Sequence, residues 1–362
     1  MTVAPRLWSA FRALTSMRGG RGVEPAASWN CSRMHEVNTS DARWTSRLRA
    51  RIGLPLLALW FAPLGACAAQ DDDPVAYPGY TGDYPGFTLV LDDRFDTFDA
   101  EVWRRGDGAV GGEAMCRFQD QGVQVVDGVL ELVIRREAVP AGFSRDHDQQ
   151  KAAYDFSCGE MRTKPDRRIR YGRIETRMKA PDRARASGYI SSLFTYVNDL
   201  DAEGRGEWEE IDIELEGIRP DKFQANLIYG LNTWEWWRTR EWGAWEDKLE
   251  VGPVDEWRVF AIEWVPDAIR WYVDGELVKT LSQADIDCAP SCVGPQVHPT
   301  PIPDDYTDIM LNFWIPNDTI QDTFGGNKRD NVYPMTTRYD WIRYYQYDEA
   351  PAEPWQDRIG DR

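Results

Sequence analysis

The 362-residue sequence has only three His, so it offers little material for His-based metal clusters or for catalytic triads that depend on His. It is also poor in positive charge, with 42 Lys and Arg against 60 Asp and Glu and a net charge of -18. A chain of that sign repels a phosphate backbone, which argues against nucleic acid as a partner. Its longest apolar run falls short of the ~20 residues that span a bilayer, and 42% hydrophobic residues suit a globular protein.

Positive charge is concentrated at the amino terminus. The first 66 residues hold nine Arg, no Lys and three acids, whereas the remainder carries a net charge of -24. Three of these Arg precede an uncharged run of fifteen residues, Ile52–Ala66, which fits the apolar region of a secretory signal. We therefore expect residues 1–66 to be a signal or precursor segment and the protein to be exported. Met34 is an alternative start that would give a signal of more usual length.

The apolar run ends in Leu64-Gly65-Ala66-Cys67, which resembles the lipobox of bacterial lipoproteins. This resemblance predicts that Cys67 is lipidated and becomes the first residue of a mature chain held at a membrane only by its lipid. The alternative is an ordinary signal cleaved nearby, which would give a secreted protein. Residues 67–86 are rich in Pro, Gly and Asp without an apolar period, as expected of a tether.

Four Cys follow Cys67 in the sequence, namely Cys116, Cys158, Cys288 and Cys292. An even number of Cys in an exported chain is typical of disulfides, so two are expected. Pairing Cys116 with Cys158 would close a loop of about 40 residues, for which the chain-entropy model gives about 4 kcal/mol. A zinc site from Cys288, Cys292 and His298 is the alternative, although it has no evident fourth ligand.

From Phe87 onward, the sequence has the patterns of strands rather than helices. Apolar residues alternate with polar ones or occur in short bursts, and no stretch sustains a 3.6-residue period. The dipeptides Asp127-Gly128 and Asp274-Gly275 each join two such runs, which is a hairpin signal. The predicted strands are Val123–Val126, Val129–Ile134, Ile174–Met178, Tyr189–Val197, Trp208–Leu215, Phe223–Tyr229, Trp257–Val265, Ile269–Val273, Glu276–Leu281, Ile309–Ile315 and Tyr339–Tyr347. This pattern predicts an all-β fold, a two-sheet antiparallel sandwich of the jelly-roll kind.

One predicted strand carries three acids on one face. Because side chains alternate along a strand, Glu210, Asp212 and Glu214 project together while the intervening apolar residues face the core. A solvated outer face is the ordinary interpretation, but three acids without an interleaved Lys or Arg repel one another. Retaining glycosidases need two carboxyl groups ~5 Å apart, one to attack the sugar and one to protonate the leaving oxygen. The Cα atoms of Glu210 and Glu214 would be about 13 Å apart, so inward-leaning side chains permit this chemistry.

The ten residues from Trp208 to Gly217 resemble the E-[ILV]-D-[IVAF]-E signature of glycoside hydrolase family 16, in the form found in bacterial lichenases, which are endo-β-1,3-1,4-glucanases. Other stretches agree with the lichenases, namely Cys158–Arg162, Trp271–Gly275, Asn312–Trp314 and Tyr339–Trp341. The resemblance implies a family domain over residues 87–348, a C-terminal tail over 349–362 and a concanavalin A-like jelly roll. It also places Cys116 and Cys158 where lichenases have their single disulfide.

The resemblance implies a role for each matching residue. Glu210 would be the nucleophile, Glu214 the general acid and then base, and Asp212 the residue that tunes both. The implied substrate-binding residues are Trp208, Glu160, Arg162, Asn226 and Trp314. From the sequence alone, Trp314 could equally be a core residue.

The resemblance also implies a metal site far from the chemistry. Lichenases hold a structural Ca²⁺, and the matching ligands here are the carbonyls of Arg94 and Gly128 and the carboxylate of Asp340. The reaction itself requires no cofactor. Ile228 stands where lichenases have a Tyr near the reacting sugar, which leaves the exact glucan open.

Five Trp lie in a predicted loop over Asn232–Pro253, at positions 234, 236, 237, 242 and 245. They would extend an aromatic floor for a long polysaccharide, pack the loop, or contact another chain or a membrane surface. Arg238 and Arg240 in the same loop could meet uronate or succinyl groups, although the acidic charge of the domain favours a neutral polymer.

These features together predict an exported, monomeric, endo-acting glycosidase that cleaves β-glucans of the β-1,3-1,4 or a related type with retention of configuration. A transglycosylase and a hydrolase of another polysaccharide, such as xyloglucan, succinoglycan or galactan, are alternatives. A carbohydrate-binding jelly roll without catalysis is a further alternative. The intact acidic trio of Glu210, Asp212 and Glu214 favours an enzyme over a pure binding module.

Overall fold

The computed structural model of the chain describes residues 76–108, 114–144, 149–198, 205–233, 242–288 and 301–350. The strands in these ranges are β1 (Phe87–Asp93), β2 (Trp103–Arg105), β3 (Arg117–Phe118), β4 (Val123–Val126), β5 (Val129–Ile134), β6 (Gly142–Ser144), β7 (Gln149–Lys151), β8 (Ser157–Thr163), β9 (Gly172–Lys179), β10 (Ile190–Asn198), β11 (Arg205–Glu216), β12 (Lys222–Thr233), β13 (Trp242–Glu250), β14 (Arg258–Val265), β15 (Ala268–Val273), β16 (Glu276–Ser282), β17 (Asp308–Trp314) and β18 (Met335–Tyr347). The one described α-helix is α1 (Gln283–Asp287), and short 3₁₀ turns cover Asp120–Gly122, Pro165–Arg167 and Lys328–Asp330. No helix among the described residues is long and apolar enough to cross a membrane.

Most of the strands belong to two large sheets. The back sheet has the order β16-β15-β14-β9-β18-β5-β4, with β1 also paired to β18. The front sheet has the order β13-β12-β11-β10-β17-β8-β2, with β3 paired to β8. Among the described pairs, all are antiparallel except the short pairing of β3 with β8. The predicted all-β, two-sheet antiparallel sandwich is confirmed.

The core lies between the two sheets, and β11 contributes several of its residues. Ile211, Ile213 and Leu215 from β11 are fully buried there. Trp271 of the back sheet is also fully buried, and its indole Nε1 donates to the carbonyl oxygen of Asp212 at 3.0 Å. Because a buried indole N–H needs a partner, this bond ties the back sheet to the centre of β11.

Both predicted Asp-Gly hairpins are present. The turn between β4 and β5 has φ of 51° at Asp127 and 72° at Gly128, and the turn between β15 and β16 has 49° at Asp274 and 80° at Gly275. A type I′ turn needs a positive φ at both central residues, which Asp-Gly supplies at low cost. The local sequence therefore determines where these two hairpins turn.

The predicted loop over Asn232–Pro253 was wrong in its second half. Residues Trp242–Glu250 form β13, which pairs with β12 at the edge of the front sheet. Trp245 is 2% exposed and packs against Trp271 with ring centroids 5.2 Å apart. This Trp therefore packs the strand down onto the core, and the Trp at 234, 236 and 237 lie outside the described residues.

The second half of the predicted tether is docked on the back sheet. We call residues 77–84 the strap. The hydroxyls of Tyr80 and Tyr84 donate to the two carboxylate oxygens of Glu175 at 2.5 and 2.6 Å. Glu175 lies on β9, is fully buried and pairs with Arg173, whose guanidinium stacks 4.0 Å from the ring centroid of Tyr84. The strap is therefore part of the folded domain, and residues 1–66 and Cys67 lie outside the described residues.

The predicted disulfide between Cys116 and Cys158 is present, and both residues are fully buried. Cys288 is also disulfide-bonded, which removes it from the alternative zinc site. Cys292 and His298 lie outside the described residues.

Candidate active site

The three predicted catalytic acids share the outward face of β11, because the apolar residues between them point into the core. On β10, the cross-strand partners of Glu210, Asp212 and Glu214 are Tyr196, Phe194 and Ser192. On β12, their partners are Ile228, Asn226 and Gln224. Directly paired residues lie on the same face of a sheet, so these side chains surround the acids on both sides.

Glu210 is held by its neighbour on the same strand. The indole Nε1 of Trp208 donates to Glu210 Oε2 at 2.8 Å, and both side chains are partly exposed. This bond fixes the carboxylate and stabilises its ionised form. Trp208, which was predicted to bind sugar, therefore also positions an acid.

Asp212 is buried between the other two acids. Only 3% of its surface is exposed, and it forms hydrogen bonds with Asn226 and Glu210. Burial, followed by the charges of Glu210 and Glu214, raises the pKa of Asp212 well above its usual value. A protonated Asp212 donates to Glu210 and favours a negative charge there.

Glu214 is held by two amides from β12. Asn226 Nδ2 donates to Glu214 Oε2 at 2.7 Å, and Gln224 Nε2 donates to the same oxygen at 3.3 Å. Gln224 Nε2 also lies 3.0 Å from Asn226 Oδ1, so the two amides brace each other. Asn226, which the sequence predicts as a sugar ligand, contacts two of the acids. Gln224 was missed, although strand alternation places it on the same face as Asn226.

The other predicted sugar ligands lie on the same sheet. Glu160 and Arg162 project from β8, where they are buried and form an ion pair of 3.4 Å. Pairing of β8 with β17, and of β17 with β10, places both on the face of the acids. Trp314 is only 3% exposed and packs 5.9 Å from the ring of Phe324, which matches the alternative interpretation as a core residue.

A row of buried polar atoms crosses the sheet at the level of Glu214. Ser192 pairs with Glu214 on one side and with Asn312 on the other, and Gln224 pairs with Glu214 from β12. Ser192 Oγ, Asn312 Oδ1 and Gln224 Oε1 have no hydrogen-bond partner among the described residues. A buried polar atom without a partner costs about 1–3 kcal/mol, so this row is suited to a ligand rich in hydroxyls. Ser192 was missed because its place beside Glu214 depends on register.

The three predicted calcium ligands lie at or beside one seam of the back sheet. Strand β18 pairs with β5 up to Tyr339, which lies opposite Leu130. From Ile342 onward, which lies opposite Asp93, β18 pairs with β1. Asp340 lies between these two pairings, Arg94 directly follows Asp93, and Gly128 is two residues before Leu130. Asp340 Oδ2 accepts from Arg177 Nη1 at 2.6 Å. Carboxylate and carbonyl oxygens are ligands of the kind that Ca²⁺ takes.

A β-sandwich that presents a buried acid between two half-buried carboxylates has the equipment of a glycosidase. The chain belongs to glycosyl hydrolases family 16, whose family model matches residues 111–329. The resemblance of the acidic strand to that family is thereby confirmed, and the chain is an enzyme of the glycosidase class.

Curated relatives and solved structures agree with this assignment. A beta-glucanase of Bacillus subtilis is 28% identical over 256 residues, which cover 70% of this chain and 84% of the relative. The endo-1,3-1,4-beta-glycanase ExoK of Rhizobium meliloti is 30% identical over 236 residues, or 64% of this chain and 71% of the relative. The Bacillus licheniformis beta-glucanase structure matches with a TM-score of 0.51 and 25% identity, covering 71% of this chain and 97% of its own. A laminarinase domain from Thermotoga petrophila, at 22% identity and a TM-score of 0.54, shares the fold over 73% of this chain and 99% of its own.

Proposed function

We propose that this protein is an exported, endo-acting hydrolase of β-glucans of the β-1,3-1,4 or a related type, working with retention of configuration. The observation that carries the proposal is the unequal setting of the two outer acids. Glu210 accepts hydrogen bonds from Trp208 and Asp212, whereas Glu214 is braced by two neutral amides. The beta-glucanase relatives and the retaining chemistry of the family support the same substrate class and outcome.

In the first step, a carboxylate oxygen of Glu210 attacks the anomeric carbon of the sugar. The glycosidic C–O bond breaks, and Glu214 gives its proton to the leaving oxygen. Both amides donate to Glu214 Oε2, so the proton is carried on Oε1. The product of this step is a glycosyl ester of Glu210.

In the second step, Glu214 takes a proton from water as the water oxygen attacks the anomeric carbon. The ester bond to Glu210 breaks, and its carboxylate is restored. In both steps, Asp212 shares its proton with Glu210 through their hydrogen bond. In the free enzyme, this bond favours the ionised form of Glu210. Two inversions at one carbon give net retention.

The polar row beside Glu214 supports a sugar substrate. Ser192 Oγ, Asn312 Oδ1 and Gln224 Oε1 would each gain a partner when hydroxyls of a bound glucan reach them. Glu160 and Arg162 extend this row toward β2 with charged groups. The face of the front sheet that carries the acids therefore offers hydrogen-bond acceptors and donors for a sugar in addition to the catalytic trio.

We also propose that the chain is exported and that Cys67 carries a lipid anchor. Support comes from the arginine-flanked apolar run and from the Leu64–Cys67 motif. Mass spectrometry of the mature amino terminus tests this proposal separately from activity. A mature chain that begins elsewhere and carries no lipid would contradict it.

The function is tested by a screen of reducing-end release from lichenan, laminarin, xyloglucan, agarose and succinoglycan. We expect release from lichenan by the wild type and none by Glu210→Gln, with binding of the polysaccharide retained by the variant. The Gln side chain keeps the volume and the bond from Trp208 but is not a nucleophile. Equal release by both proteins, or no release from any of these substrates, would refute the assignment.

A further inference from the structure

A cavity of about 300 Å³ lies at the edge of the front sheet, where β3 pairs with β8. One of its walls is polar and contains Arg117 of β3. Another wall is apolar and consists of Val139, Pro140 and Ala141, which lie between β5 and the hairpin of β6 and β7. This hairpin belongs to neither of the two large sheets. The cavity is therefore formed between an edge of the sandwich and a segment added to it.

Strand register places the cavity behind the front sheet, on the side away from the acids. Glu160 of β8 projects on the side of the acids, so Ser157, three residues earlier on the same strand, faces the opposite side. Arg117 is paired with Ser157 and shares that side, and Asp107 lies with Arg117 as its ion-pair partner. A glucan bound at the acids therefore does not pass through this cavity.

Arg117 has a buried N–H group that the protein does not use. The residue is 5% exposed, and its Nη2 donates to Asp107 Oδ1 and to the carbonyl oxygen of Phe143, each at 3.0 Å. Its Nε is buried and has no hydrogen-bond partner among the described residues. Because a buried donor without a partner is unfavourable, the cavity is suited to a ligand that accepts a hydrogen bond.

The walls of the cavity favour a neutral ligand with hydroxyl groups. An anion would lie near the carboxylate that pairs with Arg117 and near Asp120, which also lines the cavity. The amide side chains of Gln119 and Gln121 offer both donors and acceptors, which match hydroxyls. The apolar wall suits the C–H face of a sugar ring, and the volume is that of a small ligand pocket.

We propose that this cavity is a second saccharide site, which holds one sugar unit of a β-glucan while another stretch of the same polymer lies at the acids. This inference rests on the proposed glucanase function and extends it to a second place of attachment. Attachment there raises the effective concentration of the polymer at the acids. Phe143, which follows Gly142 of the cavity and is 60% exposed, offers an aromatic surface to an adjacent sugar unit.

The test compares kcat/KM for lichenan with kcat/KM for a tetrasaccharide prepared from lichenan. The tetrasaccharide is too short to occupy both sides of the sheet at once, so the ratio of the two values reports the second site. A Cβ added at Gly142 would lie 3.5 Å from Arg117 Nη1, so the ring of Gly142→Phe would enter the cavity. We expect this variant to lower the ratio about tenfold, because the polymer loses its second attachment.

Two control variants separate filling of the cavity from other effects. Gly142→Ala adds one methyl group at van der Waals distance from Arg117 and leaves most of the cavity open, so the ratio should be retained. Ala184→Phe adds the same ring in an exposed turn between β9 and β10, and it should also retain the ratio. Since each variant is judged by a ratio between two substrates, a general loss of folding does not mimic the result.

The outcomes separate this inference from the proposed function. An unchanged ratio in Gly142→Phe would show that the cavity holds only water, and an equal fall in Ala184→Phe would show that the effect is not local. Either result would overturn the second site and leave the glucanase function standing. No hydrolysis of lichenan or of the tetrasaccharide by the wild type would overturn the glucanase function, and the second site with it.

Discussion

At the scale of single residues, Asp212 has a central place in the proposed mechanism, because it lies between the two acids to which we assign the chemistry. It is almost fully buried and forms hydrogen bonds with Glu210 and Asn226. Burial and the two adjacent carboxylates raise its pKa, so Asp212 keeps a proton at a pH where an exposed aspartate has lost it. Its proton supports a negative Glu210, and its charge, when present, disfavours a second negative charge on Glu214.

Replacing Asp212 by Asn tests this coupling. The amide fills the same space but cannot lose a proton, so it cannot supply the negative charge that would help Glu214, the proposed general acid, to stay protonated. We expect kcat to fall about tenfold to a hundredfold, and the alkaline limb of the kcat/KM profile to move to lower pH. A variant whose pH profile overlays that of the wild type would show that Asp212 has no part in the titration.

Glu209 directly precedes Glu210 but lies on the inward face of β11. It is 1% exposed, and its carboxylate accepts the backbone N–H groups of Asp304 and Asp305 at 3.0 to 3.3 Å. Burial is the main cause that raises the pKa of Glu209 to about 7, with the charges of Asp304 and Asp305 adding to it. The group thus anchors the segment that leads into β17, and its ionisation costs stability.

Glu209→Gln should make stability less dependent on pH. The folded protein holds the Glu209 proton up to about pH 7, whereas the unfolded chain releases it near its usual value of about 4.5. Wild-type stability therefore falls as pH rises through this window, and the Gln variant lacks that contribution. Between pH 4.5 and pH 8, the free energy of unfolding of the variant should rise relative to that of the wild type by on the order of 2 kcal/mol. A difference in urea unfolding free energy that stays constant over this range would contradict the assignment.

At the scale of structural elements, the strap adds a buried polar contact to the back sheet. Tyr80, Tyr84 and Tyr345 all donate to Glu175, which Arg173 neutralises. Removing one hydroxyl leaves a buried carboxylate oxygen with one donor fewer. A loss of this kind usually costs about 1–3 kcal/mol.

Tyr84→Phe should lower the free energy of unfolding by that amount, as measured by urea denaturation, with activity retained because the strap lies on the back sheet. Tyr347→Phe is the matched control, since the Tyr347 hydroxyl donates to the exposed Glu349, and its loss should have no measurable effect. Equal stability of the two variants would show that the strap does not stabilise the domain.

The elements that were predictable are those whose signals are local. Hairpins at Asp127-Gly128 and Asp274-Gly275 follow from two residues each, and the face of the three acids follows from alternation along one strand. Strand β13 was missed because its Trp-rich sequence lacks a clear alternation of apolar and polar residues. Its strand conformation depends on pairing with β12. Docking of the strap was missed because composition indicates a tether, whereas its partner Glu175 lies 91 residues beyond Tyr84.

The candidate active site also has parts with a local sequence signal and parts that depend on strand pairing. The identities of the acids were visible in one strand, but their supports depend on which strands become neighbours. Gln224 reaches Glu214 from β12, and Ser192 faces it from β10. These pairings require the register of three strands, which a single sequence does not supply.

At the scale of the whole molecule, calcium at the seam of the back sheet would join β1, β5 and β18. We propose that Arg94, Gly128 and Asp340 hold such an ion, because register brings all three to one place. Removing calcium with a chelator should then lower the Tm of the wild type and leave the Tm of Asp340→Asn unchanged. A wild-type Tm that is the same with chelator and with added calcium would contradict the proposal.

The central claim is that Glu210 is a nucleophile and that the enzyme therefore retains configuration at the anomeric carbon. The most direct test follows the anomeric proton signals of the first products of lichenan hydrolysis by NMR. We predict that the β-anomer forms first and that the α-anomer appears later, at the rate of spontaneous mutarotation. Initial formation of the α-anomer would contradict a covalent glycosyl intermediate on Glu210.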